Sequence, residues 1–134
     1  MLQPRKAKYR TQFRGKNRGK AARGTTVAFG EYALKALTGG WVNSREIEAA
    51  RKKITFATKR TGKYWIRIFP HKPVTKKPVG VKMGGGKGAI EYHTAVVRPG
   101  TILFELGGVS EEIAKAALTK AAHKISLKTK FISK

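Results

Sequence analysis

The sequence predicts an α+β fold: an antiparallel or mixed sheet with two main helices on one face, an extended basic N-terminal arm, and a Gly-rich basic loop. Three observations carry that prediction. Two stretches, one after Asn43 and one after Ser110, place apolar residues at helical spacing behind a capping residue. Other stretches, led by Tyr64–Phe69, alternate as strands do. Strands and helices do not alternate as βαβ units, so a parallel sheet is not expected. The 134 residues, 40% of them hydrophobic, suffice for one core. At this size about two-thirds of the unfolded surface is buried. The expected division is residues 1–24 as the arm and 25–134 as one domain.

The elements follow in order. Residues 1–24 hold nine Lys/Arg and no acid, with Tyr9 and Phe13 among them. Such a segment buries too little to fold alone. Thr25–Phe29 reads as a short strand and Glu31–Leu37 as a short helix stopped by Gly39-Gly40. Asn43 or Ser44 caps the next helix, with Glu46 and Glu48 in its first turn, where the helix dipole favours them. Ile47, Ala50, Ile54 and Ala57 form its buried stripe, and Gly62 suits the position after its end.

Tyr64–Phe69 is the clearest strand, alternating and aromatic. Pro70, Pro73 and Pro78 then predict an irregular basic connector, because proline donates no backbone hydrogen bond. Ile90–Arg98 and Thr101–Leu106 read as strands joined through a Pro99-Gly100 turn, hence as a hairpin. Ser110 caps a second helix with Glu111 and Glu112 in its first turn and Ile113, Ala117, Leu118 and Ala121 as its stripe. Residues 126–134 alternate as a last edge strand.

Charge then dominates. Thirty Lys/Arg against seven Glu give a net +23. Self-repulsion at that charge opposes compaction and calls for a polyanionic partner. The arm's Arg5, Lys6, Lys8, Tyr9, Arg10, Arg14, Lys16, Arg18, Lys20 and Arg23 suit RNA: rings stack on bases while cations hold phosphates. Between Glu48 and Glu91 there is no acid but twelve Lys/Arg. A merely solvated face mixes signs. Arg51, Lys52, Lys59, Arg60, Lys63, Arg67, Lys72, Lys76 and Lys77 are therefore expected to contact RNA.

Lys82, Met83, Gly84, Gly85, Gly86, Lys87 and Gly88 form a loop with positive charge and little bulk, a phosphate-binding character. A nucleotide-triphosphate loop is excluded twice: Val81 stands where its first glycine belongs, and Gly88 where its hydroxyl belongs. The dinucleotide pattern Gly84-x-Gly86-x-x-Ala89 follows a proline-broken connector and opens a strand, the wrong context.

No cysteine is present, and His71, His93 and His123 share no ligand spacing, so no metal site and no cofactor are expected. No carboxylate pair or nucleophile–base set appears, so no catalytic residue is assigned. No apolar run approaches the roughly 20 residues of a membrane span, and no secretory signal is recognised. Two rival readings stay open on the residues alone. One is a free nucleic-acid-compacting protein. The other is an enzyme acting on RNA.

Lys59–Pro70, the Lys-Pro pairs at 72–73 and 77–78, and Lys82–Gly88 closely resemble the bacterial ribosomal protein L sixteen family of the large subunit. Met1-Leu2-Gln3-Pro4, Lys8-Tyr9-Arg10, Glu91-Tyr92 and Arg98-Pro99-Gly100 are similar too, so the resemblance spans nearly the whole chain. It implies an arm threaded into large-subunit rRNA, a cytoplasmic place in the ribosome, neighbouring large-subunit proteins, and late entry into the assembling subunit. It also implies a Gly loop pointing toward aminoacyl-site tRNA, with Lys82–Gly88 in that role and Trp65, Arg67 and Pro70 matching the first motif. The family usually has Arg before Met-Gly, hydroxylated in some members. Lys82 takes that place here, and a Lys point charge implies a simpler phosphate contact than an Arg fork.

Overall fold

The computed structural model describes residues 2–134. It has seven strands and two helices among the described residues: β1 (Tyr32–Ala36), β2 (Gly40–Asn43), α1 (Ser44–Ala57), β3 (Lys63–Ile66), β4 (Lys72–Lys76), β5 (Ala89–Val97), β6 (Ile102–Gly107), α2 (Glu111–Ala122) and β7 (Thr129–Ser133). The fold is α+β. The single sheet expected from sequence is two antiparallel sheets, one ordered β3-β6-β1-β7 and the other β2-β5-β4. One core holds both together. Its buried members include Leu34, Val42, Ile47, Ile54, Val97, Leu103, Phe104 and Leu118. α1 packs on α2 and on β2 and β5, while α2 packs on β1 and β7.

Both helices start as their sequences dictate. Asn43 accepts from the Glu46 N–H at 2.9 Å, and the Glu46 carboxylate accepts from the Asn43 N–H at 3.1 Å, a reciprocal box. Ser110 caps α2 through the Ile113 N–H. The stripe Ile47, Ala50 and Ile54 is fully buried, as are Ala117, Leu118 and Ala121. Ile113 departs from its expected place and is exposed, leaving Ala114 in the buried stripe. The tail forms edge strand β7, paired with β1 from Tyr32↔Ser133 to Ala36↔Thr129.

Six local expectations are corrected. The segment 31–37 is strand β1 rather than a helix. Its Ala, Leu and Lys favour a helix locally, but pairing to β6 on one side and β7 on the other outweighs those few tenths of a kcal/mol per residue. Residues 25–29 form no strand, because the Ala28, Phe29 and Gly30 N–H groups are turned toward the Glu105 side chain instead. Gly39-Gly40 does not end a helix; Gly40 opens β2, paired with β5. The connector after Pro70 is not irregular throughout, since β4 contains Pro73. β4 lies at a sheet edge, where a missing N–H costs no ladder bond.

β5 and β6 do not form a hairpin. The Pro99-Gly100 turn exists, closed by Thr101 N–H to the Arg98 carbonyl at 3.2 Å. Yet Gly100 and Thr101 bond to the end of β1, and this sends β6 into the other sheet. Finally, α1 ends at Thr58, before Gly62. Lys59 (φ 52°) and Arg60 (φ 64°) carry the left-handed turn themselves.

Candidate nucleic-acid interface

The interface is built on the smaller sheet. β4 and β5 form a hairpin whose tip is the loop from Lys77 to Gly88. Val81 N–H bonds to the Pro78 carbonyl at 3.2 Å, and Lys77 Nζ reaches the Gly84 carbonyl at 2.6 Å, so the tip folds back on its base. Gly84, Gly85 and Gly86 have φ of 108°, 76° and 95°, while a Cβ at any of them would meet open space. Glycine is required there by backbone geometry. At Gly88 the reason is closeness: a Cβ would stand 3.0 Å from the Lys76 carbonyl. Met83 is 96% exposed at the tip, beside exposed Lys82 and Lys87.

The arm forms no helix or strand in residues 2–24, yet it is seated on this sheet. Asn17 Nδ2 donates to the Val97 carbonyl at 2.6 Å, and Ala21 N–H to the Pro99 carbonyl at 3.0 Å. The Ile102 N–H bonds to the Gly24 carbonyl at 2.8 Å. Two lysines reach across from the hairpin. Lys72 Nζ donates to the Arg14 carbonyl and lies 4.7 Å from the centre of the Trp41 ring. Lys87 Nζ donates to the Gln12 carbonyl at 2.8 Å and lies 5.5 Å from the centre of the Phe13 ring. Arm and Gly loop, 75 residues apart in sequence, therefore share one surface. Arg5, Lys6, Lys8, Arg10, Arg14, Lys16, Arg18, Lys20 and Arg23 are all exposed along it. Tyr9 and Phe13 are exposed between them.

The remaining candidates divide by what they touch. Lys52, Lys59 and Arg60 are exposed along and just beyond α1, and Lys63 and Lys76 are exposed on β3 and β4. Arg51 is committed to Glu48, whose hydrogen bond, with that of Tyr64, raises the guanidinium pKa. Arg67 turns inward: it pairs with Glu105, bonds the Thr26 carbonyl at 3.4 Å, and stacks 5.2 Å from the centre of the Phe29 ring. These contacts are internal to the fold, which its place in the acid-free stretch between Glu48 and Glu91 did not reveal.

Glu105 is the centre of that arrangement. It is fully buried on β6, and its Oε1 accepts from Ala28, Phe29 and Gly30 N–H at 3.0, 2.9 and 3.0 Å. Burial pushes the carboxyl pKa up. The Gly30 N–H, the Arg67 guanidinium and the Phe29 and Ala28 N–H groups outweigh burial and hold it below the ordinary carboxylate range. The segment read as a strand is thus a nest around one carboxylate. Sequence reasoning also missed Phe56. It is 79% exposed and lies off the buried stripe of α1, and that offset is the signal that could have found it. Among the described residues, no group of three or more His or Glu could hold a metal ion. No described helix is long and apolar enough to cross a membrane.

The chain has relatives. It is similar to the large ribosomal subunit protein uL16 of Exiguobacterium sibiricum, 56% identical over 134 residues, covering all of this chain and 92% of that one. Residues 4–132 match the family described as Ribosomal protein L16p/L10e. With an interface made of exposed cations, a Gly loop and a seated basic arm, and with that match running from one end to the other, the chain belongs to the ribosomal protein L16p/L10e family.

Proposed function

We propose that this chain, a non-enzymatic structural constituent of the large ribosomal subunit, binds large-subunit rRNA through its arm and α1 and presents its Gly loop to aminoacyl-site tRNA. Residues 1–24 act as the arm and 25–134 as one RNA-binding domain. The ribosome is its place, cytoplasmic in bacteria, among neighbouring large-subunit proteins.

One observation carries the reading: Lys87 ties the Gly loop to Gln12 and Phe13 of the arm, so cations from both ends of the interface form a single surface. The arm's side chains neutralise phosphates where rRNA segments converge, and shape rather than base sequence is recognised. The loop's small residues leave space for tRNA, while Lys82 and Lys87 contact its phosphates. A shared surface also suits late entry into the subunit, since arm and loop need their RNA partners already in place.

The test is double replacement of Lys82 and Lys87 by Ala, followed by sucrose-gradient sedimentation and aminoacyl-site tRNA binding. The wild-type chain should co-sediment with the large subunit at moderate salt. The variant should still co-sediment but bind tRNA less well. Equal loss of both properties would make the loop a scaffold for rRNA, and a wild-type chain at the top of the gradient would end the ribosomal reading.

A further inference from the structure

α1 ends in a turn that is unusual for its residues. Lys59 and Arg60 are both left-handed, a conformation that brings the Cβ of a non-glycine residue too close to the following carbonyl oxygen. The conformation persists because hydrogen bonds over-determine it: Lys59 N–H to the Phe56 carbonyl at 3.2 Å, Arg60 N–H to the Thr55 carbonyl at 3.0 Å, and Thr61 N–H to the Thr58 carbonyl at 3.0 Å. The result is a groove of about 520 Å³ with Phe56 in it and Lys52, Lys59 and Arg60 around it. Those three cations are exposed and have no acidic partner among the described residues. Glu48, the acid on this face, is taken by Arg51. Phe56 is 79% exposed on a helix whose buried stripe is complete without it. A lone aromatic ring inside a cationic groove offers a planar apolar face and anion contacts within one site.

We propose that this groove binds an unpaired RNA nucleotide, with the base stacked on Phe56 and the flanking phosphates on Lys52, Lys59 and Arg60. The proposal rests on the RNA-binding reading above and adds to it a recognition of single-stranded character. Base-paired nucleotides have both faces covered by their neighbours in the stack, so the ring can be met only by a base that has left it. An acidic protein segment would answer the cations alone, and the ring is what favours a nucleotide.

The test uses full-length protein and intact large subunits. Because Phe56 is exposed, Phe56→Ala should leave the melting temperature unchanged. It should weaken binding to a short mixed-sequence single-stranded RNA by roughly 5- to 150-fold, the range that base–aromatic stacking supports. That comparison is made at a salt concentration where one strand binds per chain. Binding to an abasic strand of equal length should not change, and Phe56→Trp should restore the loss. In large subunits irradiated with ultraviolet light and digested with trypsin, the peptide Ile54–Lys59 should carry a nucleotide adduct, lost in Phe56→Ala. Equal affinity of wild type and Phe56→Ala for the base-bearing strand would overturn the site. So would a protein adduct on that peptide, which would mark a protein-docking surface. Nucleotide adducts on other peptides but not this one would also remove the site while leaving RNA binding intact. A wild-type chain that binds no RNA and yields no nucleotide adduct would remove the RNA-binding reading itself.

Discussion

Replacing Glu105 by Ala would leave four donors facing an empty place. Three are backbone N–H groups, those of Ala28, Phe29 and Gly30, and the fourth is the Arg67 guanidinium, whose side chain is only 20% exposed. Breaking a buried ion pair by removing one partner costs about 3–5 kcal/mol, because the remaining charge stays desolvated. The stranded N–H groups put the loss at the upper part of that range, since unpaired buried donors cost about 1–3 kcal/mol each and partial exposure of Ala28 and Phe29 lets water replace some. Glu105→Gln keeps an acceptor for the N–H groups but loses the charge, and should cost about 1.5–3 kcal/mol.

Urea unfolding at moderate salt reads both losses as shifts in midpoint at constant slope. Glu91→Gln, which removes an equally negative but exposed carboxylate, controls for the added net charge. The pH dependence has a definite sign. The folded-state pKa of Glu105 lies below its unfolded value, so its contribution is complete above about pH 4.3 and is lost as pH falls through the folded value. Glu105→Gln should lack that part of the acid sensitivity. A Glu105→Ala loss below about 1 kcal/mol, the scale of a single exposed pair, would refute the clamp.

Asn43→Ala removes one half of the capping box and should cost about 1–2 kcal/mol in urea unfolding. Gly62→Ala combines a left-handed φ of 72° with a Cβ overlapping the Gly107 carbonyl, and should cost more than about 2 kcal/mol, against less at Gly85, where the space is open. Deleting residues 1–24 should leave a folded core by circular dichroism, because among the described residues the core cluster draws only Leu2 from the arm, but should weaken incorporation into large subunits. Replacing Lys16 and Arg18 by Ala should flatten the salt dependence of RNA binding by roughly 0.7–0.9 for each phosphate no longer neutralised.

How much of this was legible depends on range. Helix starts were legible because Asn43 with Glu46 and Ser110 with Ile113 are contacts three residues apart. The Pro99-Gly100 turn was legible for the same reason. β1 was not, because its helix-forming residues become a strand only through partners about 70 and 100 residues away. The two-sheet division was hidden for a related reason: Gly100 and Thr101 bond to Ala36, a pairing no local pattern encodes. Among the candidate cations, Lys72 and Lys87 could be named from sequence, but not that they clasp the arm, because their partners lie 58 and 75 residues away. Arg67 shows the limit in reverse, since only its pairing with buried Glu105 separates it from neighbouring exposed cations.

The order β3-β6-β1-β7 also sets a timetable. β1 is made early, yet both its neighbours are made late: β6 ends at residue 107 and β7 at residue 133. A chain emerging from its N-terminus therefore carries β1 with two open edges through most of its synthesis, and loop closures of that length are slow. The arm needs no such wait. Its nine cations all precede β1 in the chain, and their charge is present whether or not the sheet has closed. The last strand both completes the sheet and ends that interval.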